Sequence, residues 1–242
     1  IVEAVDPINY LNAIETLRQI RTRLVSIPSN GALVLAAAPV KASDSFTNPV
    51  ADLARVLADA GHNTLVIDAN FRAGKLASQF EAANEPGLSD FLSGEMRLSQ
   101  VTVRSKTPNL WFVPPGPVHI DPCHLLTNKR MEDLLFKLKP RFRFILIAAP
   151  PLGEVSDTAA VLSHCAHSVV TIHSSLASKS HLSRLARQFE SHDAPILAAM
   201  LVKSSARRDA QMQANAEDSP EESDPNSRRD HRDGESGEAR SQ

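Results

Sequence analysis

The residues predict an α/β domain built on a doubly wound, mainly parallel sheet, and three observations carry that expectation. Short apolar runs of strand length alternate with amphipathic stretches of helix length. The runs are continuous rather than alternating, as strands covered on both faces require. A chain of 242 residues with 42% hydrophobic content can also build one sizeable core.

Taken in order, the first element is an amphipathic docking helix. Ile14, Leu17, Ile20, Arg21 and Leu24 recur at helical spacing, and Glu15, Arg18 and Arg21 mark a neighbouring face. Residues 33–38 (LVLAAA) read as a buried strand, 48–60 as a helix and 64–68 (TLVID) as the next strand. A helical or irregular stretch follows to Phe80. In EPGLSDFLSGE, residues 85–95, glycines bracket a short helix with Ser89 as its expected cap. NLWFV at 109–113 reads as a strand closed by PPGP. Residues 129–138 form a helix with Met131, Leu134, Leu135 and Leu138 inward, and 142–148 (FRFILIA) a central strand. Ser156 caps a helix to Ser163, and 168–173, 179–191 and 195–202 read as strand, helix and strand. Such a sheet carries its ligand site at the carboxyl ends of its strands, near residues 39, 68 and 149.

From residue 204 to 242 there is one Met and no Leu, Ile, Val or aromatic residue. Nothing there offsets the entropy of ordering, so a disordered charged tail is expected. The division is an N-terminal docking helix region over 1–30, an α/β domain over 31–203 and the tail over 204–242. The tail holds 10 of the chain's 28 acids and 6 of its 26 bases, leaving a body of 18 acids and 20 bases. Neither part is a polycation, which argues against nucleic acid as a partner. Cys123 and Cys165, far apart and without a signal-like start, suit a reduced cytoplasmic compartment. No apolar run approaches the ~20 residues that span a bilayer. The sequence begins at Ile1 rather than Met, so an upstream segment such as a membrane anchor is expected.

The strand, loop and helix over residues 33–60 have the layout of a phosphate-binding P-loop, yet no glycine occurs between Gly31 and Gly61. A working loop needs Gly-x-x-x-x-Gly-Lys-Ser/Thr, because close approach of backbone N–H groups to phosphate excludes side chains and the lysine supplies charge. Here the loop is PVKASDSFT, residues 39–47, ending at Thr47. The lysine position falls on Phe46 and the glycine positions on Ser43 and Ser45.

Several ordered motifs are similar to the cytoplasmic domain of bacterial tyrosine kinases (BY-kinases) of capsule and exopolysaccharide assembly, relatives of the MinD and ParA ATPases. The similarity spans residues 10–203. The family's Glu-x-x-Arg-x-x-Arg oligomerisation motif stands as Glu15, Arg18 and Arg21. IDANFR resembles its Ile-Asp-x-Asp-x-Arg motif, with Asp68 and Arg72 kept and Asn70 in place of the second acid. GLSDFLSG, NLWFVPPGP and DPCHLLTNKRMEDLL follow in the family's order and spacing. The resemblance implies a P-loop NTPase-like fold of the MinD and BY-kinase type. Against it stand three departures: the glycine-rich loop is replaced, the position of the Mg-organising aspartate in the family's Ile-Asp-Thr-Pro-Pro strand is Ala148, and Tyr10 is the chain's sole tyrosine, so the tail has none.

Each candidate also has a plainer role. Asp68 either holds Mg or, the stronger reading without other ligands, makes a turn or cap. Lys41 either reaches phosphate in place of the missing lysine or is a solvated loop lysine. Cys123, His124, His164, Cys165 and His167 lack a standard zinc spacing and read as half-buried helix residues, so no metal site is expected. Asp157 stabilises a helix N-terminus, although the resemblance places an acid there beside the nucleotide.

The expectation is therefore a catalytically silent, BY-kinase-like interaction or regulatory subunit of polysaccharide polymerisation and export, needing no cofactor. Its partners would be its own copy or an active BY-kinase homologue, and a membrane chain-length-determinant or export protein, at the inner face of the plasma membrane. The rival is an enzyme: a tyrosine autokinase or ATPase with a divergent loop, using ATP and Mg.

Overall fold

The computed structural model describes residues 2–5, 10–40, 47–72, 76–117, 121–151, 156–173, 183, 189 and 194–202. These belong to one compact unit, Ile1–Ser205. The expected tail and nearly all of the expected 179–191 helix lie outside the described residues.

The chain runs β1 (Val2–Val5), α1 (Tyr10–Ser26), β2 (Leu33–Pro39), α2 (Thr47–Asp59), β3 (Thr64–Asp68), a 3₁₀ turn (Ala77–Phe80), α3 (Leu88–Ser93), α4 (Leu98–Val101), β4 (Val103–Arg104), β5 (Leu110–Val113), α5 (Pro122–Thr127), α6 (Lys129–Leu138), β6 (Phe144–Ala148), α7 (Asp157–Leu162), β7 (His167–His173) and β8 (Ile196–Val202). The eight strands lie in the order β1-β8-β7-β2-β6-β3-β5-β4, all pairs parallel except β4 with β5. This is the expected doubly wound α/β sheet.

Strand residues alternate between two cores. Val34, Ala36, Ala38, Ile145 and Ile147 face one, shared with Met131, Leu134, Leu135 and Leu138 of α6 and Ala160 and Val161 of α7. Leu33, Leu35, Ala37, Phe144 and Leu146 face the other, shared with Leu17, Ile20 and Leu24 of α1 and Val50, Leu53 and Leu57 of α2. Covering on both faces is why the strands read as continuous apolar runs. The stripe on α1 thus docks on this chain's own sheet.

β1 and the two-residue β4 carry no pattern long enough to have been expected. The cap of α3 also differs from expectation. Its N-cap is Gly87, whose backbone N–H donates to Asp90 Oδ2 at 2.7 Å. Ser89 lies inside the helix, and its hydroxyl donates to the Pro117 carbonyl oxygen. With the N-cap at Gly87 rather than at Ser89, the side chain that reaches back to the N-cap N–H is that of Asp90, three residues on, and the serine hydroxyl serves the neighbouring loop. At α7 the expected N-cap position is right, but the Ser156 side chain makes no capping bond.

The α3 cap sits against the Pro-x-Gly loop. Leu88 and Ser89 backbone N–H groups donate to Pro114 and Pro115 carbonyls at 2.8 and 2.9 Å. A Cβ on Gly87 would overlap the Gly116 nitrogen and the Pro114 oxygen, both backbone atoms that cannot swing aside. Gly87→Ala should therefore lower unfolding free energy by at least about 2 kcal/mol, seen as a lower urea midpoint at unchanged slope. An unmoved midpoint would mean that the loop yields freely.

Candidate functional site

The strand register aligns three carboxyl ends. Ala37 of β2 pairs with Ala148 of β6, which pairs with Asp68 of β3. All three alternate onto the sheet face covered by α1 and α2. β2 ends at Pro39, and Thr47 is the first residue of α2. Lys41, Ser43, Ser45 and Phe46 lie between them, outside the described residues.

Asp68 is 1% exposed. Its Oδ1 accepts the Asn70 backbone N–H at 3.0 Å, the side-chain turn expected of an aspartate ending a strand. Its Oδ2 has no partner among the described residues. Burial pushes this carboxyl up to about 7, with the Asn70 and Leu76 backbone groups pulling the other way. Beside it Ala148 offers only a methyl group.

Asp157 opens α7 and is equally buried. Its Oδ2 accepts Arg72 Nε at 3.2 Å, a pair that ties α7 to the loop after β3 across 85 residues of sequence. The other oxygen, Oδ1, is unpartnered among the described residues. Thr171, which pairs with Pro39 in register, contributes a further buried hydroxyl without a partner among them. Sequence reasoning found Asp68, Arg72 and Asp157 singly; it missed the ion pair and Thr171, for which no local pattern exists.

Of the strand ends aligned here, that of β3 supplies one carboxylate, Asp68, and that of β6, ending in Ala148, supplies none. Among the described residues no group of three or more His, Cys, Asp or Glu is placed to hold a metal ion.

The remaining candidates lie elsewhere. Arg18 Nη1 donates to Glu15 Oε2 at 3.2 Å on the exposed face of α1, with Arg21 half-buried. Cys123 and His124 are in α5. His164 and Cys165 fall in the turn after α7 and His167 in β7, so these three are not helix residues as expected. His164 Nε2 contacts the Leu126 carbonyl at 2.8 Å, and burial pushes the Cys165 thiol up, away from thiolate chemistry. No helix among the described residues is long and apolar enough to cross a membrane.

No family model matches the chain. The tyrosine-protein kinase CpsD of Streptococcus agalactiae is 30% identical over 195 residues, covering 80% of this chain and 82% of that protein. EpsB of Ralstonia nicotianae is 35% identical over 150 residues, 61% of this chain but 20% of that protein, so this chain spans only a fraction of the larger relatives it matches. Among solved structures, the kinase domain of the Escherichia coli tyrosine kinase ETK superposes with a TM-score of 0.73 at 27% identity, covering 78% of this chain and 75% of the other. The septum site-determining protein MinD from Pyrococcus horikoshii, solved with Mg-ADP, shares the fold with a TM-score of 0.57 at 18% identity over 70% of each chain.

Proposed function

The chain belongs to the bacterial tyrosine-kinase family that includes CpsD, and on that premise we propose that it serves capsule or exopolysaccharide assembly as an interaction subunit without phosphoryl transfer. One observation carries the silent reading: Ala148 ends β6 directly beside the buried Asp68, so the described metal side of the site holds a single carboxyl. Phosphoryl transfer in this class of fold is almost entirely positioning and charge stabilisation, with Mg held by paired acidic and hydroxyl ligands and phosphates by a lysine. The chain has Phe46 at the lysine position and glycine-free sequence around it. Its working surface is then the Glu15, Arg18 and Arg21 face of α1, docking a second copy or an active kinase relative beside a membrane export component.

The second reading, an ATP-dependent tyrosine kinase or ATPase with a divergent loop, is favoured by the relatives, since CpsD and ETK are kinases by name. A phosphotransfer assay separates the two. Incubated with MgATP and a tyrosine-rich acceptor peptide, the purified chain should yield no phosphotyrosine on the peptide or on Tyr10. Phosphotyrosine that disappears in an Asp68→Asn variant would establish the kinase instead.

A further inference from the structure

We propose that Arg143 is the positioning residue that sets the axial register of α1, and thereby of the Glu15, Arg18 and Arg21 face. The inference rests on that face being the contact between copies of this chain.

Arg143 stands where three strands begin. Its backbone N–H donates to the Asn63 carbonyl at 2.8 Å, just ahead of β3, and its carbonyl accepts the Leu33 N–H at 2.9 Å, at the start of β2. Its side chain reaches away from these strands to the end of α1. Nη2 donates to the Ile27 carbonyl at 3.0 Å and lies 3.5 Å from that of Val25. Nη1 donates to Ser29 Oγ and lies 3.5 Å from the Gly31 carbonyl. The guanidinium lies 5.1 Å from the centroid of the Phe144 ring.

Every acceptor belongs to the last turn of α1 or to the link from it to β2. Helix carbonyls in the last turn have no intrahelical partner, and a cation there also complements the helix dipole. Arginine suits the task because its rigid fork serves several acceptors at once.

The apolar stripe alone leaves register open. Leu17, Ile20 and Leu24 recur every three to four residues, so a slide of about one turn, 5.4 Å, would bring similar side chains back onto the sheet. Bonds from one guanidinium to a defined set of carbonyls remove that degeneracy. Arg21 and Arg18 lie about two and two and a half turns before Ile27, so their location follows from this anchor.

The test measures self-association of the full chain by sedimentation velocity, well below the melting temperature, for wild type, Arg143→Ala, Arg143→Lys and Arg18→Glu/Arg21→Glu. Arg143→Ala should weaken association about tenfold, and Arg143→Lys, which keeps the charge but not the fork, by less. Combined with Arg18→Glu/Arg21→Glu, Arg143→Ala should add nothing, because both act on one surface. Amide hydrogen exchange should quicken across α1 while the central strands keep their protection. If Arg143→Ala does not fold, Arg143→Lys and the exchange measurement decide. Wild-type association in a folded Arg143 variant, with the Arg18 and Arg21 reversal dissociating, would overturn the positioning role and leave the interface intact. A monomeric wild type, or association untouched by the charge reversal, would overturn the interface and the inference with it.

Discussion

Titration calorimetry with MgATP should record no binding in the micromolar range, with any residual affinity at least about 10³-fold below that of an intact phosphate loop. Each charge-assisted hydrogen bond to a phosphate contributes about 1.5–3 kcal/mol, so losing the lysine and a few backbone contacts removes several kcal/mol. What the scaffold keeps is small by comparison. The N-terminus of α2, with no acidic residue in its first turn, still favours an anion by about 0.3–1 kcal/mol. The retained term is several-fold smaller than the lost ones, and Ala148 adds no metal ligand to narrow the gap. A micromolar dissociation constant would sink the silent reading, because residues 40–47 would then have to hold phosphate by a different set of contacts.

Much of this fold was legible because buried parallel strands are chemically simple. LVLAAA and the FILIA of β6 are wholly apolar and the polar residues of TLVID stand only at its ends, and the register of β2, β6 and β3 brings positions 37, 68 and 148 side by side, next to the expected 39, 68 and 149. What stayed hidden depends on distance in sequence or on competition between local acceptors. Ser89 looked like a cap by residue type, yet the Asp90 carboxylate binds the Gly87 N–H and the serine turns to Pro117. The pairing of Arg72 with Asp157, and of Arg143 with the end of α1, joins segments that no periodicity connects. Asp68 was recognisable as a strand-end acid with a turn role, and the bond to Asn70 realises that role. Its burial was not recognisable, since that follows from the packing of elements such as α2 over the same face.

That burial should make Asp68 the group through which stability responds to pH near neutrality. Its folded-state value of about 7 lies above the ordinary 3.8, so the neutral carboxyl is the form that folding favours. The stability associated with it is fully present below the unfolded value and is lost as pH rises through 7. A shift of this size amounts to on the order of 4 kcal/mol between pH 4 and 8. Asp68→Asn isolates the effect, because the amide oxygen can still accept the Asn70 N–H. Its buried NH₂ lacks a partner at about 1–3 kcal/mol, so the variant should be somewhat less stable than wild type at pH 4 and more stable at pH 8. Urea unfolding across that range should show the two curves crossing. A constant difference would mean that the carboxylate is ionised at little cost, through a donor supplied by residues 41–46 or 73–75. Magnesium adds the functional arm: with Ala148 beside it, Asp68 should gain no stability at pH 8 from millimolar Mg²⁺. If the ion restored at pH 8 the stability lost between pH 4 and 7, a cation site would survive on this strand, and the enzymatic reading would gain the metal side of its chemistry.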